Sequence, residues 1–373
     1  RVMGLRIDQL PLGIPGSASD ILAVMQAGVT RQNTVSQVSG SFTFLASPQN
    51  AVLRTAQSKM RDVVSVKDFA AVGNGTTNDA PAINLAIAYL NTGAFKNLYF
   101  PPGNYAIFGA LTTILQSGVT VYGDGIDVAR ITVAASANPT NLSTIFTTGS
   151  DSSAAIARIT IKGLGISYSN TPDPAANPFV FKNCADVKVE EIWINGASGF
   201  VTLGSSSNAV SRFKARAIEG NYNKGASQGG YKVIEIVRAL TFNFTDVTLL
   251  STGATGTGYS VYIAPPTTGF VDEGRFVDCT IFATGAQSNG AYLDYTNEKI
   301  VNLWFTRCVF DGNAVSSFAF VSTSGAKECR NINVTETRLD TSAVAAAANC
   351  VTVSHAGTGV VAGIRFDACL LSF

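Results

Sequence analysis

The sequence has few charged residues and few of the residue types from which many catalytic sites are built. Only 14% of its 373 residues are charged, against about 25% in average soluble proteins. It contains a single histidine, His355, so any site that needs two histidines is excluded. The 26 basic and 25 acidic residues leave a formal net charge of +1, which offers no general attraction to nucleic acid. We therefore expect no nucleic-acid partner.

Cysteines and long apolar runs are also scarce. Six cysteines without a Cys-x-x-Cys pair fit neither a disulfide scaffold nor a zinc ribbon. No apolar run reaches the roughly 20 residues of a membrane span, and no signal-peptide pattern opens the chain. We expect no metal, no cofactor and no membrane insertion. With 46% hydrophobic residues and a mean hydropathy of +0.23, the chain is too apolar to be disordered.

One short pattern of apolar residues recurs from residue 161 to the end of the chain. Phe276-Val-Asp-Cys-Thr-Ile281 is a typical copy, and a strand-like run such as Ala291–Tyr295 precedes most copies. The units are 24–32 residues long and contain two or more short strands and no helix pattern. They are shorter than propeller blades and lack the ladder of leucine-rich repeats. They predict successive coils of a parallel β-helix. The first apolar position of the pattern falls at residues 161, 189, 213, 244, 276, 305, 334 and 366.

Three cysteines occupy one position of this repeat. Cys279, Cys308 and Cys369 align, and Thr337 shares their position. A metal ladder or redox site is one interpretation, and a stack of small buried side chains is the other. Thr337 favours the stack.

Residues 63–107 read as a strand, a glycine turn, a helix and a further strand. Asp79 and Pro81 are first-turn helix signals. The apolar stripe of this helix must cover an apolar surface, and the open end of a β-helix provides one. We therefore expect the helix to act as a lid on the first coil. The stripe consists of Ile83, Ala86, Ile87 and Leu90.

The same region carries a family resemblance. Ser65-Val-Lys-Asp-Phe69, Gly73-Asn-Gly75 and Tyr99-Phe-Pro-Pro-Gly103 resemble the first-coil motif of the pectate-lyase-like β-helix superfamily. Preceded by Gln57–Asp62, the motif is similar to that of phage tailspikes. The resemblance implies an all-β, right-handed, single-stranded parallel β-helix over 63–373, with a short N-terminal capping helix. The motif usually has Asp where this chain has Asn74, so we expect a turn contact to be lost.

The tailspike resemblance also implies a domain plan and partners. Residues 1–40, with short hairpin-sized strands, are expected to form a virion-attachment adaptor that binds the phage tail or baseplate. Residues 41–62 are expected to form a neck helix or linker, with the helix over 48–61. A homotrimer carried on the virion, made in the host cytoplasm, would bind host surface polysaccharide. The C-terminal strand at 370–373 lacks a polar cap, so we expect either truncation or a covering partner.

A β-helix that acts on polysaccharide needs outward aromatic side chains, and a hydrolase of this kind also needs two carboxylates. Strand alternation points Glu235 outward, together with Asp294 two coils away, and we predict these as the catalytic pair. Asp272 and Glu273, in the turn after Pro265-Pro266, are the rival pair. The predicted substrate-binding residues are Tyr262, Tyr292, Trp193 and Trp304.

Three functions remain open from the sequence. The chain could be a polysaccharide depolymerase, more in keeping with a glycoside hydrolase than with a calcium-assisted lyase because no dense Asp cluster appears. It could bind its receptor without cleavage, or serve as a structural tail adaptor. An outward Glu on a β-helix is also a common solvated or subunit-contact residue.

Overall fold

The structure is a computed structural model. It describes residues 62–93, 95–108, 111, 115–133, 144–148, 155–169, 177–197, 199–223, 231–311, 315–323, 327–341, 349–356 and 358–372, with residues 21–26, 29–34, 43–44, 54–55 and 59 before them. The chain divides into two compact units, 1–63 and 64–373.

The N-terminal unit contains two short antiparallel ladders. Strand β1 (Ile21–Gln26) pairs with β2 (Val29–Thr34), and β3 (Thr43–Phe44) pairs with β4 (Arg54–Thr55). The expected helix over 48–61 is therefore wrong at Arg54–Thr55. Most of its other residues lie outside the described part of the chain. The adaptor and neck remain predictions.

The second unit is a right-handed parallel β-helix, which confirms the predicted fold class. Every strand pair described within it is parallel, and each coil pairs with the coils before and after it. Its strands are β5 Val64–Ser65, β6 Asn74–Asn78, β7 Asn97–Phe100, β8 Gly103–Ile107, β9 Thr120–Gly123, β10 Ala129–Val133, β11 Phe146–Thr147, β12 Ile156–Tyr168, β13 Phe179–Phe181, β14 Cys184–Asn195, β15 Val201–Leu203, β16 Val210–Asn223, β17 Tyr231–Ile236, β18 Ala239–Ile263, β19 Val271–Asp294, β20 Ile300–Thr306, β21 Val309–Asp311, β22 Ser316–Ser322, β23 Glu328–Thr335, β24 Arg338–Asp340, β25 Asn349–His355, β26 Val360–Asp367 and β27 Leu370–Ser372.

Four stacks of strand segments line the coil: three longer ones, which we call sheets A, B and C, and a short one before sheet B that contains 184–185, 210–211, 239–240, 271–272 and 300–301. Sheet A contains 201–203, 231–236, 258–263 and 289–294. Sheet B contains 187–190, 213–216, 242–245, 274–277 and 303–306, and sheet C contains 192–195, 218–221, 247–250 and 279–282. Inward side chains fill the core, and outward side chains form columns with one residue per coil.

Single left-handed residues make the bends on either side of sheet B. The φ values of the non-glycine residues lie between 51° and 62°, and Gly163 (67°) and Gly363 (64°) take the bend position in two of the coils. L-residues rarely adopt this conformation, and Asn and Asp tolerate it best, which fits the Asn and Asp residues found in both columns. The first column contains Arg158, Asp186, Arg212, Thr241, Glu273, Asn302 and Asn331, and the second contains Glu191, Ala217, Asp246, Asp278, Arg307, Glu336 and Ala368.

Aligned side chains stack inside the coil. The rings of Phe244, Phe276 and Phe305 lie parallel, with centroids 4.9 and 4.7 Å apart. The pairing register places Ala215, rather than Phe213, in the Phe244 column. The predicted repeat position is therefore displaced by two residues in that one coil.

The aligned cysteines form a stack of small side chains that is buried at Cys279 and Cys308 and half-buried at Cys369. Cys279 and Cys308 are buried, and Thr337 occupies the same column in the next coil. The Cys308 thiol points at the carbonyl oxygen of Phe276, 3.4 Å away. Each thiol in this column therefore has a backbone acceptor.

The capping helix α1 (Ala80–Asn91) buries the predicted stripe against the first coil. Asp79 precedes it, but its carboxylate makes no cap contact to the helix. Instead, this buried carboxylate accepts hydrogen bonds from the backbone N–H groups of Val72 (2.7 Å) and Gly73 (3.1 Å). A short 3₁₀ helix (Val66–Phe69), closed by a capping box at Ser65, lies just before this turn.

Asn74 keeps the turn contact that its replacement of Asp was expected to lose. Its side-chain oxygen accepts hydrogen bonds from the N–H groups of Thr76 (3.0 Å) and Thr77 (2.9 Å). The expectation was wrong because an amide oxygen accepts these bonds as a carboxylate does.

Candidate functional site

Three tyrosines form one outward cluster on sheet A. Tyr262 lies directly opposite Tyr292 on the next coil, with ring planes 10° apart and centroids 5.7 Å apart. Tyr259 packs on both, at 4.7 and 4.8 Å. We call these three residues the tyrosine patch. Its rings are partly exposed, so it presents a preformed aromatic surface spanning two coils.

Glu235 borders one side of the patch. It faces outward, as predicted, in line with Tyr262 on the next coil. Its carboxylate forms an ion pair with Lys232 (2.5 Å) and accepts a hydrogen bond from the Thr202 hydroxyl (3.2 Å). The Lys232 ammonium also lies 4.1 Å from the centre of the Tyr262 ring. These contacts fix the Glu235 carboxylate beside the aromatic surface.

Asp294 borders the other side. It lies two residues beyond Tyr292 and accepts a hydrogen bond from the N–H of Thr296 (3.0 Å). Burial raises the pKa of Tyr292 to about 12, and the charges of Tyr259 and Asp294 add to the rise. The pKa of Tyr262 is raised for the same main reason. The patch hydroxyls are therefore protonated hydrogen-bond donors at neutral pH.

The predicted catalytic pair, Glu235 and Asp294, lies on opposite sides of the tyrosine patch. Glu235 and Asp294 are two coils and two residues apart, about 12 Å between Cα atoms at standard strand spacings. The tyrosine rings lie between them. Inverting glycosidases hold their carboxyl groups roughly 6.5–9.5 Å apart. To reach that range, the two side chains would have to lean toward each other across the tyrosine rings, and the catalytic pair remains a prediction.

The rival pair is separated by the fold. Asp272 and Glu273 lie within strand β19, and not in a turn as expected. Asp272 accepts a hydrogen bond from the Asn302 amide (2.8 Å), and Glu273 is a bend residue that accepts one from the Thr241 hydroxyl (2.9 Å). The two side chains line different grooves, because the left-handed bend turns Glu273 away from its neighbour.

Both tryptophans face outward, as predicted, but away from the tyrosine patch. Trp193 lies on sheet C beneath the guanidinium of Arg130, 5.5 Å from the ring centre. Trp304 lies on sheet B beneath that of Arg275, at 5.3 Å. The four predicted substrate-binding residues therefore do not form a single site.

Sequence alternation missed Lys232, which borders the patch, and the sequence suggested Tyr259 as a sugar-binding ring in a loop between coils, whereas the structure places it within strand β18. Strict alternation from Glu235 predicts Val233 outward and Lys232 inward. The structure buries both Val233 and Ile234, so Lys232 returns to the outer face, and Tyr259 does the same one coil later. The outward position of both residues could have been found by aligning segment 231–236 with segment 258–263. That alignment requires the pairing register of the two coils.

A second group missed by the sequence lines a cleft of about 320 Å³ at the bend between sheets B and C. Glu191 and Asp246 are bend residues two coils apart, with the small Ala217 between them. Glu219 lies beside them, opposite Trp193 on the adjacent coil. Glu191, Ala217 and Asp246 share the bend position, which the repeat pattern did not reveal.

The stacked parallel coils and the capping helix define a pectate-lyase-like β-helix protein. The family model for Rhamnogalacturonase A/epimerase, pectate lyase-like, matches residues 63–260, and the chain belongs to this family. No curated protein matches the sequence. No helix in the described part of the chain is both long and apolar enough to span a bilayer.

Solved structures with this fold include phage tailspikes. A double mutant of the tailspike protein of E. coli bacteriophage HK620 is 11% identical, with 89% of this chain and 71% of that chain covered and a TM-score of 0.60. A single mutant of the same tailspike in complex with pentasaccharide is 11% identical, with coverage of 89% and 69% and a TM-score of 0.58. At these identities the likeness establishes a common fold.

Proposed function

We propose that this chain is a phage tailspike whose β-helix binds host surface polysaccharide through the tyrosine patch during adsorption. The observation that carries the proposal is the outward tyrosine cluster bordered by Glu235 and Asp294 on the flank of the coil. The tailspike-like fold and the first-coil motif support the phage context. The homotrimer, the tail attachment of residues 1–40 and the virion location belong to this proposal.

The chemistry of the patch suits a sugar polymer. Aromatic faces offer a rigid apolar surface at low entropic cost, and the tyrosine hydroxyls add polar contacts. The charged borders can accept hydrogen bonds from sugar hydroxyls, and Lys232 can donate one. Because the coils repeat at about 4.8 Å, a polymer can cross several of them with similar contacts at each step.

A substitution series tests binding. Tyr262→Ala should weaken binding to the recognised polysaccharide about tenfold, because a buried aromatic contact contributes on the order of 1–2 kcal/mol. Tyr122→Ala is the matched control, since Tyr122 stacks on Tyr99 (5.2 Å) near the capping helix. Binding is measured by surface plasmon resonance against purified capsular and O-antigen polysaccharides. Equal loss in both variants, or no polymer bound at all, would contradict the proposal.

The acidic cleft favours a hydrolytic activity as a second candidate. Glu191 and Asp246 occupy one bend column two coils apart, which places their Cα atoms about 10 Å apart. Side chains can close this to the separation of an inverting pair, and Ala217 leaves room between them. We propose Glu191 and Asp246 as the carboxylates to test for cleavage, ahead of Glu235 with Asp294.

Cleavage is tested by incubating the bound polymer with wild-type protein and with E191Q, D246N and D294N variants, and assaying new reducing ends. Loss of activity in E191Q and D246N with retention in D294N would support the cleft. If the polymer binds saturably but no new reducing ends appear, the protein is a receptor-binding spike without catalytic activity. Light scattering on the purified chain checks the trimer, and a monomer at micromolar concentration would contradict it.

A further inference from the structure

A groove on sheet B is lined by four cationic side chains and two carboxylates. It has a volume of about 500 Å³ and runs beside the first bend column. Its outer wall is the column Lys188, Lys214, Asn243, Arg275 and Trp304, in which each residue pairs with the next across consecutive coils. Lys188, Lys214 and Arg275 are exposed. No salt bridge joins these three to a carboxylate among the residues the structure describes.

The opposite wall is close to neutral. Arg212 is held by Asp186 through two hydrogen bonds (2.5 and 2.9 Å), an ion pair that lowers the pKa of Asp186. Thr241 donates its hydroxyl to Glu273, the single carboxylate there without a cationic partner. Cations therefore outnumber unpaired carboxylates in the groove. The whole chain, by contrast, is almost electrically balanced.

The lysine pair works against stability. Lys188 and Lys214 lie directly opposite each other on adjacent strands, where like charges are unfavourable. The neighbouring coils place Thr160 and Asn243, both neutral, at the same position. Two adjacent cations in a column that accepts neutral residues indicate a site whose anion is supplied by a ligand.

The groove also has an aromatic end and a firm floor. Trp304 lies beneath Arg275, so an incoming group meets a guanidinium and an indole together. The buried ring of Phe242 lies over Gly274, where an added Cβ would approach Phe242 Cζ to 2.1 Å. The floor is therefore closely packed at this point. A groove of this size falls within the range of small-ligand sites, which is about 300–1,000 Å³.

We propose that the groove lined by Lys188, Lys214, Arg275 and Trp304 is a second glycan site that binds an anionic stretch of polysaccharide. The ligand carries carboxylate, sulfate or phosphate groups along the chain, with a sugar ring resting against Trp304. A column of charges one coil apart suits a linear polymer with regularly spaced anions. The choice of a glycan rests on the proposed function, whereas the charge and position of the groove do not.

Affinity electrophoresis of the full chain tests this site with defined polymers. Pectate supplies carboxylates, dextran sulfate supplies sulfates, teichoic acid supplies phosphates, and dextran is the neutral control. We expect binding to at least one anionic polymer that weakens with salt, and about tenfold weaker binding in K188Q/K214Q. The matched variant K67Q/K96Q removes two exposed lysines near the capping helix and should bind as wild type. W304A should weaken binding to the same polymer.

Each further outcome has a defined meaning. Equal binding by K188Q/K214Q and wild type would overturn the groove, as would an unchanged W304A together with a preference for dextran. An oligonucleotide that binds more tightly than every glycan would replace the glycan with a nucleic acid. Tyr262→Ala, tested in parallel, separates the two proposals. If it alone loses binding, the patch stands and the groove fails, and if no polymer binds to any variant, both fail.

Discussion

Replacing Phe276 by alanine tests whether the aligned core rings hold the coils together. The ring is fully buried and lies between Phe244 and Phe305, within 3° and 1° of parallel to them. Removing a buried Phe side chain costs about 3–5 kcal/mol, and each ring pair adds about 0.5–1.5 kcal/mol beyond burial. The 3–5 kcal/mol range is a total cost that already includes lost ring contacts, and both ring pairs are lost here, so we expect a decrease in the free energy of unfolding near its upper end, about 4–5 kcal/mol.

The last coil provides a matched control. Phe366 occupies the same column but is 36% exposed, so Phe366→Ala should cost less than about 2 kcal/mol. The assay is guanidinium unfolding followed by circular dichroism, approached from both folded and unfolded protein. An equal loss in the two variants, or a loss below 2 kcal/mol for Phe276→Ala, would refute the view that continuous stacking stabilises this coil.

Three further predictions follow from the core and the bends. Burial raises the pKa of the Cys184 thiol to about 11 and that of Cys329 to about 12. A thiol reagent at pH 8 should therefore label at most the half-buried Cys369 until the protein unfolds. Rapid labelling of more than one thiol in the native protein would contradict this burial. Asp79→Asn should lower the free energy of unfolding by about 2–3 kcal/mol, because one charge-assisted bond to the turn is lost, and a thermal melt unchanged from wild type would count against the buried contact. Ala217→Gly should be neutral or stabilising by up to about 1 kcal/mol in a denaturant titration, because glycine relieves the left-handed bend, and a clear destabilisation would be the contrary result.

The coil could be predicted from the sequence because its repeat is visible as regular spacing along the chain. Inward apolar positions return in every unit, so the repeats, the capping helix and the cysteine stack could all be read from spacing. The register failed at Phe213 because two apolar residues, Phe213 and Ala215, both lie inward in that coil. Only the position of the bend residue distinguishes them.

The candidate sites were harder to predict because they depend on neighbours in other coils. The outward direction of Glu235, Tyr262, Tyr292 and Asp294 followed from alternation. Lys232 was missed because two consecutive residues are buried beside it. The cationic groove needed the pairing of residues about 26–32 positions apart, and no local pattern in the chain reveals that pairing.

The bends limit where this chain can vary in length. Each bend beside sheet B consists of a single residue in coil after coil. An insertion there would shift one strand segment against its neighbours and point its inward side chains outward. The connections between sheet A and the following segment have no such restriction: two residues join Phe181 to Cys184, and seven join Ile263 to Val271. Related proteins should therefore acquire new loops along that seam, while the spacing between the charged columns of sheets B and C stays constant.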